Sequence, residues 1–168
     1  DSSPARDHYR IAWRTQVPLT GERTLTPSII PPGSAHVDGL YSGCSPQHHE
    51  DLLVLASGAL SSILVDFYAR SRGFSHIRSS AANSLPTVSP ASPLALRVRY
   101  RTLRLNCLTD AYADLWTECW DESFLTDTPI LERYDERPIG PEWTADTPLR
   151  RAEDRRNAQA EIDVMVAM

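Results

Sequence analysis

The sequence predicts an α+β fold: a small mixed β-sheet with one buried helix, followed by a C-terminal helical part. Three observations carry this. Residues 9–16 alternate, with Tyr9, Ile11 and Trp13 on one side and Arg10, Ala12 and Arg14 on the other, the period of a strand with one buried face. Residues 47–70 place Leu52, Leu55, Ala56, Ala59, Ile63 and Phe67 at helical spacing. Leu53, Leu60 and Leu64 widen that stripe until the helix is apolar on most sides. Beyond a Pro/Ser/Ala stretch at 87–93, a second stripe runs through Leu96, Tyr100, Leu103, Cys107, Ala111 and Leu115. Leu108, Tyr112, Trp116 and Cys119 extend it, and Pro93 is a natural first residue for such a long helix.

The remaining elements follow in order. Residues 18–21 make a turn, and 23–30 read as a second strand closed by Pro31-Pro32-Gly33. A third strand is expected over 36–41. Gly73 stops the buried helix, and residues 75–84 have room for a further short strand before Leu85-Pro86. Residues 121–147 hold several prolines and no clear period, so an irregular loop is expected. Pro148 opens a last helix with Leu149, Ala152, Ile162 and Val166 inward. The expected division is a sheet-containing part, 1–88, and a helical tail, 89–168, packed on it as a single compact unit. A chain of 168 residues can bury a real core without disulfides or metals.

Composition narrows the setting. No apolar run approaches the roughly 20 residues of a membrane span, and no signal peptide is visible at the N-terminus, so no membrane contact is expected. Cys44, Cys107 and Cys119 are odd in number and lack paired spacing, which fits a reduced, cytoplasmic compartment. Both ends read as cut, so a piece of a longer protein is expected.

The chain has no lysine; all 17 basic residues are arginine. This excludes a phosphate-binding P-loop and the usual nuclease core of paired acids with a lysine. A GxSxG elbow is absent, as are the Gly-rich loop and NPPY-type sequence of an adenine methyltransferase catalytic domain. The net charge of −5 falls entirely on residues 91–168, because residues 1–90 balance. Any nucleic-acid contact must therefore rest on local patches. His36, Cys44, His48 and His49 match no standard zinc spacing and read as a polar loop and helix start. Asp110, Asp114 and Glu118 read as a solvated helix face. Asp66 follows the long apolar stripe, and we expect it half-buried and paired with Arg70 one turn later.

Arginine is the residue best suited to grip guanine edges or phosphates in pairs. Arg14 and Arg23-Thr24 flank one turn and could converge at one end of the sheet, or serve as ordinary surface residues of a hairpin. Residues 72–83 mix Arg, His, Ser and Asn, the side chains that read bases and phosphates, or form a plain polar connection. Arg97, Arg101 and Arg104 share a helix face that either tracks a phosphate backbone or pairs with the acid-rich C-terminal part.

The order of these motifs resembles a family. Arg14-Thr15, Arg23-Thr24 and Ile29-Ile30-Pro31 are followed by Leu52 to Leu64, Asp66-Phe67-Tyr68-Ala69-Arg70 and Leu85-Pro86. The helical stretches at 103–109 and 112–116, and the last one through Asp154-Arg155-Arg156 and Glu161-Ile162-Asp163, continue the likeness. This order is similar to the target-recognition region of type IIG restriction–modification enzymes and related phage-defence adenine-N6 DNA methyltransferases. The family's Asp-Tyr-x-x-Arg-like sequence stands here as Asp66-Phe67-Tyr68-Ala69-Arg70. The resemblance implies a non-catalytic domain that binds a specific duplex sequence and presents an adenine to a methyltransferase domain elsewhere. A duplex base must be flipped out for that chemistry. S-adenosylmethionine would belong to the missing catalytic domain, with no cofactor, metal or catalytic residue in this chain.

The DNA-facing set expected on this reading is Arg14, Arg23, Thr24, His36, Ser75, His76, Arg78 and Asn83. Motifs common to different target sequences should not read bases, so Arg14 and Arg23 have a structural alternative. The segment from Gly33 to Cys44 and the loop 74–83 are the better places for base contacts. The competing reading is a protein-interaction module that docks a partner subunit through its two C-terminal helices.

Overall fold

β1 (Arg10–Arg14) is the middle strand of a three-stranded antiparallel sheet, between β2 (Ser28–Ile30) and β3 (Leu40–Gly43). The computed structural model describes residues 3–18, 20–45, 49–131, 137 and 139–168. The register pairs Ile11 with Ile29 and Gly43, and Ala12 with Ser28 and Ser42. Side chains alternate along a strand, so Ile11, Trp13, Ile29 and Tyr41 share the core face, while Arg10, Ala12 and Arg14 share the other. Both pairings are antiparallel where the sequence suggested a mixed sheet.

The second strand is shorter than the predicted 23–30. Residues 23–27 leave the ladder because the Thr24 and Leu25 amides donate to the Asp66 carboxylate instead, and Pro27 has no amide hydrogen to offer. The third strand sits a few residues later than the predicted 36–41. Within 75–84, a single bridge between Gln16 and His76 replaces the expected strand.

The apolar stretch at 47–70 forms two helices, α1 (Glu50–Ser61) and α2 (Ile63–Ser71), which meet at a 66° bend. The break has a local cause. Ser62 takes an extended conformation, and its side chain accepts from Val65 N, capping α2. The predicted helix start at Gln47 and His48 lies outside the described residues, as do Leu19 of the predicted turn and residues 132–136 and 138 of the predicted irregular loop. A short α3 (Ser79–Ala82) follows the polar loop.

The long C-terminal helix is likewise two, α4 (Ala95–Asn106) and α5 (Ala113–Cys119). Asn106 ends α4: its side-chain oxygen accepts from Ile29 N of β2, while its amide donates back to Thr102 O. The last helix, α6 (Ala152–Ala167), starts after the predicted Pro148.

The main core joins the sheet residues Ile11, Trp13 and Ile29 to Val54 of α1, Leu103 of α4 and Trp116 of α5. A second cluster, Leu55, Val98, Ile162 and Met165, seals α1, α4 and α6 together. α1 and α4 touch at Gly58, where an added Cβ would lie 2.3 Å from Thr102 Oγ1 and 2.8 Å from Val98 Cγ1. All four tryptophans place their indole N–H on a backbone carbonyl: Trp13 on Ile77, Trp116 on Gly140, Trp120 on Ile139 and Trp143 on Cys107. Large rings thus fill the core while their polar edges pin irregular chain.

α4 carries its arginines inward. Arg101 and Glu161 are both 0% exposed and ion-paired, and Arg101 also meets Asp127 at 2.7 Å. Glu161 additionally accepts from Ile130 N and Leu131 N, and Arg97 pairs with Asp127. Of the two predicted roles for these arginines, pairing with the acid-rich C-terminal part is the one observed for Arg97 and Arg101. Arg104 is buried and donates to Thr147 O.

Candidate nucleic-acid interface

The Arg23-Thr24 motif is anchored to the fold. Arg23 forms a two-pronged ion pair with Asp163 of α6, at 2.6 and 3.2 Å, and donates to Ser61 O. Thr24 is buried, and its backbone N–H and hydroxyl both reach Asp66 Oδ1, at 2.7 and 2.6 Å. Leu25 N adds a third bond to the same oxygen, and Arg70 Nε holds Oδ2 at 2.7 Å. Burial pushes the Asp66 pKa upward. The bonds from Thr24 and Leu25, with the Arg70 charge beside them, outweigh it and hold the carboxyl below its ordinary range. The predicted Asp66–Arg70 pair is therefore present, with Asp66 more deeply buried than expected. Arg23 and Thr24 face these partners inside the fold, the structural role given above as the alternative for Arg23.

A polar cleft of about 340 Å³ opens at the far end of β1, lined by Arg14, Gln16, Asp38, Tyr41, His76 and Arg78 with Thr15 and Gly39. The backbone explains how three distant segments meet. Thr15 N donates to Gly39 O at 2.9 Å, and Ile77 N donates to Thr15 O at 2.8 Å. Val17 N donates to Ser75 O, and the Trp13 indole to Ile77 O. The strand end is thus gripped from one side by the 38–39 turn and from the other by the 75–77 segment. Gly39 has φ +101°, a conformation that favours glycine and turns the chain into β3.

The cleft gathers Arg14, His76 and Arg78 of the predicted set. All three are exposed, and neither arginine has an ion pair or side-chain hydrogen bond among the described residues. Ser75 is next in the chain, with its hydroxyl 3.2 Å from His76 Nδ1. His36 lies elsewhere, exposed and bonded to Ser42 Oγ at 2.9 Å. Asn83, just past α3, lines a separate and largely apolar cleft with Trp13, Leu52 and Leu85. Asp38 and Gln16 were not singled out from sequence, and Thr15 only as part of the Arg14-Thr15 motif. The signal for Asp38 was the preference for base contacts within 33–44. The Thr15 hydroxyl is buried and has no hydrogen-bond partner among the described residues, an uncommon condition for a polar atom.

No group of three or more His, Cys, Asp or Glu side chains able to hold a metal occurs among the described residues, and His48 lies outside them. Cys107 and Cys119 are fully buried free thiols. Burial raises both pKa values, that of Cys119 to about 12, so neither supplies a thiolate at neutral pH. Asp110, Asp114 and Glu118 are exposed, as a solvated face requires. No single helix among the described residues is long and apolar enough to cross a membrane.

Comparison with protein-family models, with curated proteins and with solved structures found no match to this chain.

Proposed function

We propose that this chain is a non-catalytic DNA target-recognition domain of a larger adenine-specific DNA methyltransferase of restriction–modification or phage-defence type. It would hold a duplex while an adenine is flipped into a catalytic domain outside this chain, and that domain would bind the S-adenosylmethionine. Its partners on this reading are double-stranded DNA and the methyltransferase domain, in the cytoplasm. The observation that carries the reading is the cleft at the end of β1. Arg14 and Arg78, drawn from two segments more than sixty residues apart, line it with His76 and have no ion pair or side-chain hydrogen bond among the described residues. Arg10, Arg23, Arg70, Arg97 and Arg101 are by contrast engaged inside the fold. The order of short motifs described above supports the methyltransferase class.

The competing reading, docking through the C-terminal helices, has less support. α4 already lies between α1 and α6, and its Arg101 and Arg104 are buried.

A gel shift on duplex DNA at low and high salt tests the proposal. Two or three phosphate contacts predict an affinity loss of about 10- to 40-fold between 50 and 200 mM salt. Arg14→Ala and Arg78→Ala should each weaken binding. In the full parent, Arg78→Ala should reduce site-specific methylation and leave cofactor binding intact. Salt-independent binding, or unchanged methylation of the target site, would overturn the proposal.

A further inference from the structure

We infer that the cleft at the end of β1 reads a base-pair edge, matched to a G·C pair in the major groove, with Asp38 as the residue that sets specificity. This rests on the DNA-binding reading above. A surface that only tracks phosphates gains nothing from a carboxylate, which repels them. Yet Asp38 shares the cleft with Arg14 and Arg78, and none of the three side chains has an ion pair or hydrogen bond among the described residues.

Opposite charges in one cleft close on each other unless the backbone holds them apart. Here it does. Arg14 sits on β1, in register with Leu40. Asp38 precedes Gly39, whose carbonyl is fixed by Thr15 N–H, and Arg78 follows Ile77, whose N–H is fixed on Thr15 O. Arg14, Asp38 and Arg78 are therefore carried by three different segments, the latter two tied by backbone hydrogen bonds to Thr15 at the end of β1.

A G·C pair offers the complementary pattern: guanine N7 and O6 accept, and cytosine N4 donates. An arginine fork takes the two guanine acceptors, and a carboxylate takes the cytosine amine. The second arginine is left for a neighbouring phosphate. Gln16 and Thr15, residue types that suit adenine and the thymine methyl, line the same cleft, so the choice of a G·C pair rests on Asp38 together with the two arginines.

Selection from a random duplex pool with the 168-residue chain provides the test. The wild type should fix a G·C pair at one position. Asp38→Ala should keep pool affinity within about threefold, or raise it, and lose the preference for that pair by about 5- to 150-fold. Asp38→Asn should shift the preference towards A·T, since an amide suits adenine. Thermal melting should be unchanged in both variants, because the Asp38 side chain has no hydrogen bond or ion pair among the described residues. Two outcomes overturn the inference and leave the DNA-binding reading standing: tight wild-type binding with no fixed G·C position, or an unchanged preference in Asp38→Ala. A wild-type chain that binds no duplex overturns both.

Discussion

Replacing Asp66 separates the framework from the cleft. One carboxylate oxygen accepts from Thr24 N, Thr24 Oγ1 and Leu25 N, and the other from Arg70 Nε. Asp66→Ala leaves two buried amides, a buried hydroxyl and a guanidinium without their acceptor. Each stranded amide costs about 1–3 kcal/mol, and breaking such a buried network costs about 3–5 kcal/mol in total. That is a large share of a typical domain stability of about 5–15 kcal/mol. Asp66→Asn keeps one oxygen for the amides but loses the charge and turns an NH2 towards Arg70, for a loss of about 1–2 kcal/mol.

Urea denaturation of the three proteins measures both numbers. The pH dependence adds a second check. The folded pKa of Asp66 lies below its unfolded value, so its contribution is present above the unfolded value, about 3.9. It is lost as pH falls through the folded pKa. The gap between wild type and Asp66→Asn should therefore close from pH 6 towards strong acid. An Asp66→Ala variant within about 1 kcal/mol of wild type, or a gap that does not move with pH, refutes the reasoning. On the proposed reading, Asp66→Asn should bind duplex DNA as the wild type does, because Asp66 lies outside the cleft.

Three further outcomes are expected. Glu161→Ala uncouples Arg101 and strands the Ile130 and Leu131 amides, so denaturation should show a loss of about 3–5 kcal/mol, with Glu161→Gln milder. Gly58→Ala drives a methyl into Thr102 and Val98 and should cost about 1–3 kcal/mol, read as a lowered melting temperature. At pH 8 a thiol reagent should modify only the half-buried Cys44 in the native chain and all three cysteines after denaturation; equal native rates would contradict the burial of Cys107 and Cys119.

What the sequence revealed was what is local. The alternation of residues 9–16 gives β1, and the one-turn spacing of Asp66 and Arg70 gives their pair. What it concealed depends on distant chain. β2 is short because Asp66 captures the amides of the preceding residues. The apolar stripe runs unbroken through Ser62, so periodicity hides a bend made by one backbone conformation and one capping hydroxyl. Arg101 has the spacing of a surface arginine, and its burial depends on Glu161, sixty residues later. Asp38 is an isolated acid in a turn, and it gains meaning only when β1 brings it opposite Arg78.

The two segments that flank the end of β1 are held through carbonyls and amides at Gly39, Ser75 and Ile77. Bonds of this kind are indifferent to which side chain each residue carries. Asp38, His76 and Arg78 can therefore be exchanged without loosening the sheet, while Thr24, Asp66 and Glu161 cannot. On the reading proposed above, the contacts that choose a target could therefore change by single substitutions, each nearly neutral for folding.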